Sequence, residues 1–445
     1  MNKKLKSLIA LFLVSIIVFS SCSYENGVEI FSKTIETVEK TVASVLGLDE
    51  NFVSEKLKVS ASSENSAELP KSFLTMCGKM IPKEKLYGYS KLNDNQKELY
   101  RRISSATIKL SLAVDILDLS LTSDEISKTF YAFLNDSPEI FYLSDKYSVL
   151  SWFKDTPSVL MLYYMDGETI DEYDDSYSSL KTEANRKAIS KKAEELSEKT
   201  MEIISPLNLK AEKEKVRFVH DRIATDTFYD KEYADKIEDM GKEGNQSTSY
   251  GCIVEKKAVC SGITEGASLL LSLLGVENTV CYGKSEEIYH EWNIVKIKDN
   301  YYHLDITWDI SLEKDNKNWV GYEYYLLNDI RIATSRTVIS EENPDENFVS
   351  LPKPDCTDDS LYIFDDITSR NKNAVSVATA MKKAVENNIK YVVILSGTEN
   401  PDKVANYVYN SSAKAVASGF CGKKVSFGER YYVIDNKRVY QSMIY

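Results

Sequence analysis

Histidine is scarce in this chain: 445 residues contain three, at His220, His290 and His303. Cysteine is nearly as rare, with seven, and only nine prolines and 17 glycines are present, which excludes collagen-like and low-complexity classes. Beyond the N-terminus no run reaches the roughly 18 apolar residues that a membrane-spanning helix needs. A surplus of positive charge is also missing. Lys and Arg number 55 against 68 Asp and Glu, for a net charge of −13. A protein that neutralises phosphates needs a basic face, so no nucleic-acid partner is expected. Neither a GxGxxG loop nor a P-loop occurs, so a nucleotide site is not expected. What is present is ordinary for a globular protein: 43% hydrophobic and 28% charged residues exclude wholesale disorder. At about 150 residues per domain, the length suggests roughly three modules. Tyrosine occurs 29 times, a frequency for which we have no functional account.

The first residues read as an address. Lys3, Lys4 and Lys6 precede an apolar run from Leu8 to Phe19, broken only by Ser15. As a helix this run rises about 18 Å, too short for a hydrocarbon core of about 30 Å, and suits a secretory signal. Phe19-Ser20-Ser21-Cys22 follows and resembles a bacterial lipoprotein signal, in which the Cys is lipidated and becomes the new N-terminus. The resemblance implies export and lipid anchoring through Cys22 on the outer face of a bacterial membrane; more than one acyl chain makes such anchoring stable. Export permits disulfides, but six cysteines after Cys22 are too sparse for a disulfide scaffold, and their pairing does not follow from sequence.

Residues 23–70 read as a flexible tether, because a Ser/Glu-rich stretch from Ser60 to Ser66 follows one short helical pattern. Residues 71–205 read as an α+β module. Asn93 with Gln96 and Thr122 with Glu125 are capping-box starts; Leu99, Ile103, Ala106 and Leu110, then Ile126, Phe130 and Phe133, recur at helical spacing. Asn135-Asp136-Ser137-Pro138 stops the second helix. Lys146–Phe153 and Ser158–Met165 form a hairpin around Asp155-Thr156-Pro157, and a charged helix covers about 171–202. Asp171, Glu172, Asp174 and Asp175 lack the spacing of a calcium loop. Ser340–Pro354 reads as a linker. Residues 346–445 then form a small α/β module: strands Leu361–Phe364 and Lys390–Leu395, helices Ala374–Asn387 and Asp402–Ala417, and a hairpin turning at Asp435-Asn436.

The chemistry falls within residues 206–345. Ile263, Ala267, Leu270, Leu271 and Leu274 line one helical face, with Gly275 suited to end the helix. Cys260 stands at the start of that helix, where unpaired N–H groups and the positive dipole end favour a thiolate and could hold an oxyanion. An arbitrary cysteine is usually just a small buried hydrophobe. Here a strand, Val276–Tyr282, and a loop, Lys284–Tyr289, lead to His290-Glu291-Trp292-Asn293; a turn at Lys298-Asp299-Asn300 returns the chain through His303 and Asp305 to Trp308. A thiol nucleophile needs a base, and the base needs an orienting group. With Asp299-Asn300 as a two-residue turn, Ile294 faces Asp305, which leaves His290 about 14 Å away along the strand. A bulge, a strong twist or another register must close that gap.

AVCSGITEGASLLLSLLGV, HEWNIVKI and YYHLDITWD, in this order and spacing, resemble the bacterial transglutaminase-like superfamily. The resemblance covers about residues 210–345, with Val216–Asp230 and Ser249-Tyr250-Gly251 similar to the helix and loop before its nucleophile. Leu92–Leu143 more loosely resembles the helical region that precedes the core in secreted bacterial members. It implies an α+β fold: a papain-like core, its Cys-bearing helix packed on an antiparallel sheet carrying His and Asp, preceded by an α+β module and followed by a small α/β one. It also implies that Cys260 is the nucleophile, His290 the general base and acid and Asp305 the orienting group, acting on peptide or protein amides without cofactor or metal.

Neighbouring residues have plainer readings as well. His303, two residues before Asp305, is a weak second base candidate, and His220 reads as structural. Trp292 and Trp308 wall the cleft or simply pack. Tyr250 is a candidate oxyanion or positioning hydroxyl, or a core aromatic in equal measure. Cys252, Cys260 and Cys281 lack zinc-ligand spacing, so no metal is expected. A surface binding module without catalysis, and a scaffold dominated by the flanking modules, remain as alternatives to an enzyme.

Overall fold

The computed structural model describes residues 69–153, 156–165, 183–240, 244–285, 287–310, 320–345, 349 and 351–362, together with the strand backbone of 368–369, 391–395, 429–434 and 437–443. The expectations for residues 1–22, the lipidation of Cys22, nearly all of the tether, the Asp171–Asp175 cluster and the helices at 374–387 and 402–417 lie outside these residues. Leu69, at the end of the segment read as a tether, is buried. Among the described residues no helix is long and apolar enough to cross a membrane.

The fold is α+β. Helix α1 is Lys71–Cys77, α2 is Asp94–Ile108 and α3 is Ser123–Asp136. Both expected capping boxes are closed. Asn93 accepts from the Gln96 N–H at 2.9 Å and its own N–H donates to Gln96 Oε1 at 3.1 Å; Thr122 accepts from the Glu125 N–H at 3.2 Å and donates its N–H to Glu125 Oε2 at 2.9 Å. Leu99, Ile103 and Ala106 on α2, and Ile126, Phe130 and Phe133 on α3, are buried as their spacing requires. Helix α3 ends at Asp136 because Ser137, preceding a proline, leaves helical geometry.

Strands β1 (Ala113–Asp115), β2 (Leu143–Phe153) and β3 (Thr156–Tyr164) form a sheet of order β1-β3-β2. The hairpin turn is tighter than expected: Phe153 pairs with Thr156, so Thr156 and Pro157 belong to the strand. Pro157 faces Ser151 at a register shift, where a missing N–H costs the ladder little. The charged helix, α4, is described as Glu183–Ile204.

Helix α5 (Glu212–Asp226) and the short parallel pair β4 (Phe228–Tyr229) and β5 (Lys257–Ala258) lead into α6, Cys260–Leu273. Gly275 adopts φ +76°, its N–H donates to Ser272 and that of Val276 to Leu271, both backbone carbonyls, which is the Schellman ending its position suggested. Strands β6 (Asn278–Ser285), β7 (Ile288–Ile297), β8 (Asn300–Leu304), β9 (Tyr325–Leu327) and β10 (Thr337–Ile339) build an antiparallel sheet of order β10-β6-β7-β8-β9. The expected loop from Lys284 to Tyr289 is instead a tight connection, since Ser285 still pairs with Ile288.

One contiguous buried cluster includes Phe73, Phe130, Leu196, Val219, Leu270 and Leu304, so the helices before residue 205 and the sheet after it bury each other's apolar faces. The Pro-rich segment expected as a linker is strapped to the sheet at its far end. Lys353 binds Asp329 at 2.9 Å, and the carbonyl of buried Cys356 accepts the Asp329 N–H at 2.7 Å. Leu361 and Tyr362, expected in a strand, lie outside any strand. Beyond them, β11 (Thr368–Ser369), β12 (Tyr391–Leu395), β13 (Glu429–Ile434) and β14 (Lys437–Met443) form a sheet of order β11-β12-β14-β13. Ile434 on β13 pairs with Lys437 on β14, the register expected of that hairpin.

The Thr122 cap joins an N-cap oxygen to an orphan N–H of α3. Thr122→Ala should lower stability by about 1 kcal/mol, read as a fall in the urea midpoint, while Ser123→Ala changes it little.

Candidate active site

Cys260 is the first residue of α6 and is half-buried. The Ile263 N–H donates to the Val259 carbonyl, so the N–H groups of Cys260, Ser261 and Gly262 precede the first hydrogen bond of the helix. Val259 is tied through its own N–H to Gln246 at 2.9 Å. That loop lies so close that a Cβ on Gly262 would stand 2.3 Å from the Gln246 carbonyl oxygen, so glycine is required two residues after the sulfur.

Helix α6 is held to β7 by polar as well as apolar contacts. Asn293 donates to the Thr264 carbonyl at 3.1 Å and to Ser268 Oγ at 2.8 Å, and Thr264 Oγ1 donates to the Glu291 carbonyl at 3.1 Å. These bonds run next to His290 in sequence and place the start of β7 beside the start of α6.

The turn that brings Asp305 to His290 lies one residue earlier than the sequence arithmetic put it, which shifts the pairing register by two. Ile297 pairs with Asn300, so the turn is Lys298-Asp299, with Lys298 at φ +57°. Ile294 therefore faces His303. By continuation Asp305 falls opposite Trp292, two residues from His290, or about 7 Å along the strand. Strand β8 ends at Leu304, and Asp305 starts a single helical turn, α7 (Ile306–Asp309). Its carboxylate is thereby free of the ladder and accepts from His290 Nε2 at 2.9 Å.

Asp305 is fully buried and His290 nearly so. Burial alone would push the imidazole towards neutrality, but the Asp305 charge and hydrogen bond, and then the interaction with Cys260, hold its pKa up at about 10. The carboxyl of Asp305 is disfavoured as an anion by burial, yet His290 and Arg336 keep it below the ordinary value. With Asp305 an acceptor, Nε2 carries the proton and Nδ1 is the ring nitrogen left for the sulfur. The structure thus brings together Cys260, His290 and Asp305.

Arg336, which the sequence did not single out, completes the surroundings of Asp305. Its Nη2 and Nε donate to Asp305 Oδ2 at 2.9 and 3.2 Å. Trp292 is buried and stacks on His290, with ring centroids 5.6 Å apart and planes at 24°. Gly283, paired with His290 across β6, leaves room for that indole: a Cβ there would lie 2.6 Å from the Trp292 ring and 2.5 Å from the Thr337 carbonyl oxygen. Trp308, by contrast, is 48% exposed and lies over the Arg336 guanidinium.

Tyr250 does not offer a free hydroxyl. It donates to Glu195 Oε2 at 2.5 Å, and its ring stacks on Phe141, so the packing reading accounts for it. His220 is structural, as expected: it is fully buried between Asp309 at 3.0 Å and Asp221 at 2.9 Å. Glu265 on α6 accepts from the Ser249 N–H at 2.9 Å; burial, then the charges of Glu291 and Glu139, raise its carboxyl to about 8 despite that bond.

His303, Asp329 and Cys356 form a second group whose potential ligand atoms lie within 4.8 Å of one another. The donor set does not fit a cation. Trp292 Nε1, which can only donate, bonds to His303 Nδ1 at 2.9 Å, so Nε2 keeps its proton and donates to Asp329 at 3.1 Å. The Lys353 ammonium occupies the same Asp329 oxygen at 2.9 Å. His303, kept neutral by burial against the pull of Asp329, is thus a support for Trp292 and has no lone pair left for base catalysis.

No protein-family model matches the chain, and no curated protein matches it. A solved structure described as the crystal structure of a TGase aligns with 55% of this chain and 63% of its own length, at 16% identity and a TM-score of 0.27. At that degree of superposition the likeness carries no weight, and the chemistry of the site is read from its residues and geometry.

Gly283→Ala should force Trp292 or β10 to move, with a stability loss of about 1–3 kcal/mol by urea unfolding. His290 generates a pH dependence of known sign. Its pKa is raised from the ordinary 6.5 to about 10, so its stabilising contribution is fully present below 6.5 and is lost as pH rises through about 10. The stability difference between wild type and His290→Gln should shrink across that window; a difference that widens would contradict a charged His290.

Proposed function

We propose that the chain is a thiol enzyme acting on peptide or protein amides through an acyl-enzyme on Cys260, with water as the usual acceptor. The observation that carries this reading is one nearly buried imidazole bonded to the Asp305 carboxylate at 2.9 Å, with Cys260 at the start of α6 close enough to raise the pKa of the ring. A nucleophile, a base and an orienting carboxylate in contact are what acyl transfer requires.

In this reading the Cys260 proton already rests on His290 Nδ1, and the thiolate sulfur attacks the amide carbonyl carbon. The N–H groups at the start of α6 hold the resulting oxyanion. His290 returns the proton to the leaving nitrogen, the C–N bond breaks, and a thioester remains. His290 then takes a proton from water, whose oxygen attacks the thioester and releases the acid and the thiolate. An amine in place of water gives transglutamination by the same steps. Trp308, exposed beside Asp305, is suited to touch the substrate. No cofactor or metal is required. We further propose, from the N-terminal sequence alone, that the enzyme is exported and anchored through a lipid on Cys22, which would give it surface peptides or proteins as substrates.

Mass spectrometry of a peptide mixture incubated with the purified protein, with and without added amine, tests the reading. Cleaved peptides are expected, absent with Cys260→Ala and reduced at least about a hundredfold with His290→Ala. A mass gain of amine minus ammonia would assign transfer instead. If neither product forms, or if Cys260→Ala makes the same products, the enzyme reading fails and a binding module takes its place.

A further inference from the structure

Arg336 lies 31 residues beyond Asp305, outside every motif that pointed to the site. Its side chain is buried, and each part of it is engaged. Nη2 and Nε donate to Asp305 Oδ2; Nη1 donates to the Ser335 carbonyl at 2.9 Å and to Ser285 Oγ at 3.3 Å. The rings of Tyr324 and Trp308 lie 4.4 and 4.6 Å from the guanidinium carbon. His290 donates to that same Oδ2, whereas the buried Oδ1 of Asp305 has no hydrogen-bond partner among the described residues. One carboxylate oxygen therefore serves two positively charged groups. A surface-type pairing formed for stability alone would be expected to spread a guanidinium fork over both oxygens.

We propose that Arg336 is a positioning residue that holds Asp305 in place and, as its fixed counter-charge, limits how tightly His290 keeps its proton. This role rests on the reading of Cys260, His290 and Asp305 as a catalytic set. Its physical basis is competition. A guanidinium stays charged at every working pH, so part of the Asp305 charge is always spent on it. With no competitor the carboxylate would hold the imidazolium proton still more tightly, and the ring would give it up less readily to the leaving nitrogen; with no carboxylate, burial would leave the ring a poor proton acceptor. The other groups that face this centre are Cys260 from α6, Glu291 on β7, and His303 on β8 and Cys281 on β6 beside Asp305. In a dry site their mutual effects are large.

The three histidines make the test direct, since histidine-selective NMR of the purified protein yields three titrating signals at most. The one missing from His290→Gln belongs to His290. Arg336→Gln should raise the His290 titration by about one pH unit. Arg336→Lys keeps the charge but loses the fork, so its titration should fall between the two. An unmoved His290 titration in a folded Arg336→Gln protein, or in Arg336→Lys should the glutamine variant not fold, overturns the proposal and leaves Arg336 a packing residue. The catalytic reading fails separately, if Cys260 alkylation by iodoacetamide is indifferent to His290→Gln while the NMR titrations behave as described.

Discussion

Everything about this site depends on a carboxylate that has left its strand. Had β8 continued through Asp305, the side chain would have stayed level with Trp292, and a regular sheet would have held it two positions from His290. The chain instead ends β8 at Leu304 and turns into α7. The 2.9 Å bond to His290 is the result, and with it comes the burial of a charge that must be compensated. Arg336 and the imidazole are that compensation. The charged core of the site is thus a small network, Arg336–Asp305–His290, with Cys260 at its open end.

The apolar and aromatic surroundings follow from the same constraint. An imidazole works as a base only when its tautomer and tilt are held. Asp305 sets the tautomer, and Trp292 sets the tilt by stacking. Trp292 is in turn fixed by its bond to His303, and His303 by Asp329, which the strap around Lys353 and Cys356 covers. Two of the three histidines therefore meet at one cluster, one bonded to Asp305 and one beneath Trp292. The third, His220, performs a comparable supporting task between Asp221 on α5 and Asp309 at the end of α7.

How far the sequence could be read depended on the range of the forces involved. Capping boxes at Asn93 and Thr122, the end of α3 before Pro138, the Gly275 ending of α6 and the pairing of β13 with β14 were legible because each is decided within a few residues. The β7–β8 turn was placed one residue late. Lys298 adopts the left-handed conformation at φ +57°, whereas Asn300, which suits such a geometry better, already belongs to the strand. That one-residue difference halves the separation of His290 and Asp305. The loop read between Lys284 and Tyr289 failed for a related reason: polar composition there marks an exposed hairpin end as readily as an irregular loop.

Sequence alone determined the candidate residues, Cys260, His290 and Asp305, and their order, because a cysteine at a helix start and a histidine and an aspartate at two neighbouring apolar runs are each local features. Tertiary structure alone decided that Asp305 reaches His290, that Tyr250 is taken by Glu195, that Trp292 lies under the imidazole, and that Arg336 shares the carboxylate. Each of those depends on strand register, on the exit of a chain from a sheet, or on a partner dozens of residues away. Electrostatic and packing contacts of that kind leave no periodicity behind; they exist only once the sheet and the helix have met.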